Sequence, residues 1–276
     1  MSAVARAAAL GPPVPAPARA PGARRVIWAI ARRELGIAWR RKMVRLLFIF
    51  SLLPPAVMAI ILVVRVMAKE AVDFDLGWDP VAALFRIQVF PVALIALGLG
   101  TPSVARDRSE DVLYLYAVRP VTPWVYTLGK MFAVMLPAML LLLAPSVLTA
   151  VLRNGILGDI VSTSDSLVLV AKAALASAVL GIGFAGVSVG PSAATRRGRW
   201  AMLLAIALFL MPEPFKFIYG FDAVSIGPAS ASRDLVNALF GDEPARLALT
   251  GSLVLLAYGT FGALLTRGQV QKEMRP

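Results

Sequence analysis

A chain of 276 residues that is 59% hydrophobic and only 16% charged, with a mean hydropathy of +0.77, is too apolar for a soluble domain, where roughly 45–50% apolar and about 25% charged residues are usual. The 28 Lys and Arg against 16 Asp and Glu leave a net charge of +12, which in a membrane protein belongs to cytoplasmic loops and calls for no nucleic acid. Cysteine and histidine are absent from the sequence, which excludes disulfides, His- or Cys-ligated metal and nucleophile–His catalysis.

Residues 1–22 are rich in Ala and Pro, carry two arginines and no acid, and are too Pro-broken for a signal-peptide core; they read as a disordered tail. Residues 23–45 place Val26, Ile27, Ile30, Leu35, Ala38 and Trp39 near helical spacing with Arg and Lys between them, and Glu34 is the only acid. This pattern predicts an amphipathic helix at the membrane surface, with Arg32 and Arg33 toward headgroups and Trp28 and Trp39 at interfacial depth.

Six apolar runs follow, at about 46–67, 81–103, 128–152, 167–191, 200–220 and 247–266, each near the roughly 20 residues a spanning helix needs. Pro54-Pro55 should kink the first. The "LGIGFAGVSVG" stretch in the fourth predicts close helix packing. A short acidic loop at 68–80 and a longer segment at 221–246, with a short helix within 232–240, fall on one side. The 104–127 loop and the 267–276 tail fall on the other. The side bearing both termini, the 104–130 stretch and "TRRGR" carries 20 Lys and Arg against 5 Asp and Glu, and the opposite side 8 against 11. The positive-inside rule therefore places both termini in the cytoplasm. The fold expected is an all-α polytopic membrane protein, six transmembrane helices preceded by an amphipathic interfacial helix.

The longest cytoplasmic loop is "ARDRSEDVLYLYAVRPVTPWVYTLGK" in its sequence context. Ser109 is expected to cap a short helix with Glu110 and Asp111 in its first turn, and Leu113, Tyr114 and Tyr116 to form an apolar and aromatic patch. Arg119-Pro120 should end that helix. Thr122 and Pro123 should begin the next, Gly129 allowing close packing and Lys130 reaching the surface. An ordinary interfacial loop would share much of this pattern; stiff joints and aromatic or Arg anchors are also what a docking element needs.

This loop resembles the one between the second and third spans in membrane subunits of type-2 ATP-binding-cassette (ABC) exporters. Arg119-Pro120, Tyr126, Gly129 and Lys130 match that pattern; the usual glycine after the acidic pair is missing, and Trp124 replaces a more polar residue. "IARRELGIAWRRK" is similar to the family's elbow helix, with Arg33-Glu34-Leu35 matching its commonest triplet. The resemblance covers residues 24–266. It implies a permease subunit of the bacterial inner membrane, paired with a second copy or paralogue. Each copy would dock a cytoplasmic P-loop ATPase through the elbow (Trp28, Arg32, Arg33, Glu34, Trp39) and the loop (Asp107, Glu110, Asp111, Leu113, Tyr114, Tyr116, Arg119, Pro120, Tyr126, Gly129, Lys130). No cofactor is expected on this chain, since no G-x-x-x-x-G-K-[ST] occurs in it; Mg-ATP would bind the partner, and this subunit is not itself an enzyme. The alternative is an ATPase-driven anchor or mechanical coupler without transport, although the outer loops are short. A membrane-embedded enzyme or a secondary carrier is less consistent with the lack of His, Cys and paired intramembrane acids.

Among other polar groups, Arg86, Gln88 and Glu213 are candidates for a polar path or a dimer seam. Asp73, Asp75 and Asp79 are spaced loosely like a calcium loop but lack its closing glutamate. The serines near 162–166 and 229–232 have no base to activate them.

Overall fold

The computed structural model describes residues 22–69, 79–117, 121–157, 163–219, 226–241 and 243–274. The expected tail, Asp73 and Asp75, Arg119-Pro120 and residues 221–225 lie outside them, as does the side chain of Tyr114. The described residues are helical throughout, with no strand among them.

The chain opens with α1 (Ala23–Trp39), whose buried residues Ile30, Ala31, Glu34 and Ala38 make one stripe at helical spacing that packs on the helix of residues 123–157. An extended Arg41 (φ −82°, ψ 126°) ends the run, and α2 (Lys42–Ser51) resumes it. The expected kink at Pro54-Pro55 falls at Leu52, a single turn residue that keeps right-handed helical angles (φ −86°, ψ −10°), and both prolines lie in the first turn of α3 (Leu53–Lys69). Proline is tolerated there because first-turn N–H groups have no intrahelical acceptor.

Asp79 caps α4 (Pro80–Gly100), its Oδ1 accepting from the amides of Val81 at 2.8 Å and Ala82 at 3.2 Å. Two short helices follow, α5 (Ser103–Ser109) and α6 (Val112–Ala117), and then the 35-residue α7 (Pro123–Leu157). At about 1.5 Å per residue α7 is roughly 52 Å long, well beyond a hydrocarbon core of about 30 Å. The chain continues through α8 (Thr163–Ala194), α9 (Gly198–Leu210), α10 (Pro212–Tyr219), α11 (Pro228–Phe240) and α12 (Ala245–Glu273).

Among the described residues, five helices are long and apolar enough to cross a membrane, covering Lys42–Val64, Pro80–Ser109, Pro123–Leu152, Ser164–Ala194 and Ala245–Glu273. The fifth apolar run of the sequence is divided instead, between the 13 residues of α9 and the 8 of α10. Pro212 and Pro214 there withhold two backbone donors. Many apolar side chains face outward, Met43, Ile60 and Leu175 among them. In water such exposure is costly; against lipid tails it is not. The chain is thus built as a multi-pass membrane protein.

The central helix is α8, packed against α4, α7, α9, α11 and α12. Its glycines make the close approach expected of them. A Cβ on Gly262 of α12 would lie 2.6 Å from the Cα of Gly186 of α8, and one on Gly190 would meet the Gly262 Cα at 3.0 Å.

Prolines inside spans free carbonyls, and Gln88 answers two of them. Pro55 and Pro145 have no N–H for the carbonyls four residues earlier, Ser51 and Leu141. The fully buried Gln88 donates Nε2 to the Ser51 oxygen at 2.7 Å and to the Leu141 oxygen at 3.4 Å. Gln88, a candidate for a path or seam, thus also clasps α2, α4 and α7 together.

Candidate functional site

The charged residues of the 104–130 stretch and of α1 converge at one end of the bundle. α5 is fixed there by α8: Ser192 Oγ accepts from the amides of Val104 and Ala105, both at 2.9 Å, satisfying two first-turn donors from outside the helix. That seating turns Asp107 inward, where it is fully buried.

Lys130 was expected to reach the surface. It is instead fully buried, with its ammonium 2.6 Å from Asp107 Oδ2, 2.9 Å from Glu34 Oε1 and 3.0 Å from the Ser103 carbonyl oxygen. Three acceptors match the three N–H bonds of an ammonium. Tyr126 Oη donates to the same Asp107 oxygen at 2.8 Å, and Arg106 Nη2 lies 3.1 Å from both oxygens of Glu34. Glu34, Asp107, Arg106 and Lys130 thus form a four-charge network of zero net charge, drawn from α1, α5 and α7. Desolvating charges costs several kcal/mol each, and close contacts are what offset it. Asp107 Oδ2 has two of them, while the buried Oδ1 has no hydrogen-bond partner among the described residues and Arg106 lies 3.8 Å away.

Around this core the elements meet tightly. A Cβ on Gly129 would sit 2.8 Å from Ile30 Cβ, so α7 crosses α1 where only glycine fits. Tyr116 stacks edge-on against Tyr126, ring centres 5.3 Å apart, and accepts a 2.8 Å hydrogen bond from Arg33 Nη1. Burial pushes the Tyr116 phenol above its ordinary value, with Arg33 pulling against it and Asp107 reinforcing it. Partial burial, and then the charge of Arg106, lower the Arg41 guanidinium from its usual value.

Ser109 is not an N-cap. It is the last residue of α5, its hydroxyl bonded back to the Arg106 carbonyl at 2.8 Å. Glu110 follows as the C-cap, and Asp111 takes a left-handed turn (φ 52°) before α6. Aspartate is among the few residues that tolerate that region. Glu110 and Asp111 are exposed at the apex, whereas Leu113 is buried and Tyr116 half-buried. The expected aromatic patch is therefore mostly turned into the protein. Thr122 does begin α7, its Oγ1 accepting from the Val125 amide at 3.3 Å. Trp28, Arg32 and Trp39 are exposed on α1.

Several contributors were not singled out by the sequence. Arg106 and Ser192 are two. Arg108 bonds Glu273 of α12 through Nε at 2.8 Å and Nη2 at 2.7 Å, and also donates to the Ala193 carbonyl. Arg267 stacks 4.6 Å over Trp124, the position that departs from the exporter pattern. An arginine beside a lone acid is too common a pattern to reveal such pairings.

Glu213 lies at the opposite end. Its Oε1 accepts from the Ser230 amide at 2.7 Å, closing the start of α11, so it serves as a helix cap. Arg86 is exposed beside Gly241 at the end of α11. Among the described residues no cluster of His, Cys, Asp or Glu is placed to hold a metal ion.

No protein-family model matches the chain, and no curated protein matches it either.

Proposed function

We propose that this chain is the membrane subunit of an ATP-driven exporter, docking a separate cytoplasmic P-loop ATPase at the end that carries the Glu34–Asp107–Lys130 network. The observation that supports this reading most is that network. It joins the interfacial helix, the turn at Glu110–Asp111 and the entry of α7 into one stiff body. A push on the exposed apex is thereby delivered to α7 as displacement, not absorbed by a loop.

Two further features agree with it. α9 and α10 rise about 20 and 12 Å at 1.5 Å per residue, together near the ~30 Å of a hydrocarbon core, and make a broken sixth crossing. Gly198 at the start of α9 lies against Pro102, and Pro212 at the start of α10 lies against Gly227, so the pair runs between the two ends of the bundle. Six crossings return Glu273 to the end occupied by Glu34, consistent with the contacts of both to α5. The basic residues gathered there favour a cytoplasmic setting for that end, with both termini, in a bacterial inner membrane. The subunit works as a pair, with a second copy or a paralogue, and Mg-ATP binds the ATPase.

Co-expression with the P-loop ATPase encoded nearest this chain tests the reading. A stable complex with vanadate-sensitive ATP hydrolysis is expected, and Glu110→Arg/Asp111→Arg should uncouple it while leaving membrane insertion intact. A purified chain that moves substrate with no nucleotide-hydrolysing companion defeats the proposal.

A further inference from the structure

At the end remote from the network, α4, α9 and α11 enclose a cavity of about 350 Å³, within the size range of small-ligand sites. Arg86, from the first third of α4, and Arg233 of α11 both line it, with Ser232 and Asn237 as further polar groups and Phe90 and Phe209 among its apolar walls. No carboxylate is among the lining residues, and no ion pair to either arginine occurs among the described residues.

Arg86 belongs to a helix apolar enough to cross the membrane. It lies in the second turn of that helix, and a guanidinium within a span is costly unless an anion or water accompanies it. Arg86 Nη2 lies close to Gly241 at the C-terminal end of α11, where the helix contributes only a fraction of a unit negative charge. Two arginines in one largely apolar cavity therefore make a positive site with no counter-charge among its described lining residues. Arginine is suited to planar, bidentate recognition of phosphate and carboxylate.

We propose that this cavity binds a phosphate-bearing amphiphile, its anionic group on Arg86 and Arg233 and its apolar part against Phe90 and Phe209, and that such a molecule is the exported cargo. The binding site stands on the cavity alone. Its assignment as cargo rests on the exporter reading.

The test uses the full-length chain in dodecyl maltoside micelles, titrated separately with short-chain phosphatidic acid, diacylglycerol of equal chain length and inorganic phosphate. Phosphatidic acid should bind at least about ten-fold more tightly than either of the others, and Arg86→Gln and Arg233→Gln should each weaken it about ten-fold or more, as expected for losing a charged hydrogen-bond partner. Arg86→Lys should recover part of the loss. Equal binding of the two lipids, tight binding of inorganic phosphate alone, or unchanged binding by both Gln variants overturns the site. No ATPase is present in this assay, so its failure leaves the exporter reading standing. Conversely, a chain that binds the lipid but supports no coupled ATP hydrolysis keeps the site and loses the cargo.

Discussion

Replacing Lys130 by methionine is the perturbation with the largest expected effect. The side chain is fully buried and its ammonium contacts Asp107, Glu34 and the Ser103 carbonyl within 3.0 Å. Methionine keeps most of the volume but leaves two buried carboxylates with Arg106 as their one remaining ion-pair partner among the described residues. Removing one member of a buried pair costs about 3–5 kcal/mol, a large share of a typical stability of roughly 5–15 kcal/mol. Removing Asp107 as well, in Lys130→Met/Asp107→Leu, restores neutrality with the Glu34–Arg106 pair intact. Tyr126 Oη and the Ser103 carbonyl then lose a partner, at about 1–3 kcal/mol for each group left unsatisfied, and Glu34 Oε1 loses Lys130 but keeps Arg106. Reversible unfolding in mixed micelles should therefore show a double variant much less destabilised than the sum of its singles. Strict additivity, or a cost below about 1 kcal/mol for Lys130→Met, refutes the buried-network reasoning.

Other substitutions test the remaining elements. Gln88→Leu leaves the carbonyls of Ser51 and Leu141 without their donor and should cost about 1–3 kcal/mol in the same unfolding assay; Gln88→Glu, which sets a carboxylate against two carbonyl oxygens, should cost more. Gly262→Val forces α12 off α8, where a Cβ already meets the Gly186 Cα at 2.6 Å, and thermal melts should show a loss of at least about 1–3 kcal/mol. The raised phenol of Tyr116 means that the unfolded chain gives up this proton first. The associated stability is complete below about 10, the ordinary tyrosine value, and is lost as pH rises through the folded value. Tyr116→Phe should flatten that decline, seen by comparing unfolding at pH 9 and 11.

How much of this was legible in the sequence follows from what each signal averages over. Hydropathy runs located the long helices because burial in lipid is a property of some twenty neighbouring residues. Thr122-Pro123 marked the start of α7 because capping is local. Lys130 was misjudged because a lysine at a span entrance looks alike whether it reaches for water or for buried acids, and its acids come from α1 and α5. Asp111 was expected in the first turn of a helix capped by Ser109, but its left-handed backbone lies instead between the end of α5 and the start of α6. Gln88 was taken for a polar lining residue; its role appears only once Pro55 and Pro145, from two other helices, are placed beside it.

Because the sequence contains no cysteine, one introduced thiol reports on one position. Asp111→Cys at the exposed apex, in the chain co-expressed with its neighbouring ATPase and treated with a short bifunctional crosslinker, should join the two subunits in a manner that changes when nucleotide is added. A thiol that reacts only with reagent applied from the outer face, or that never crosslinks to an ATPase in a transport-competent preparation, contradicts docking at this end of the bundle.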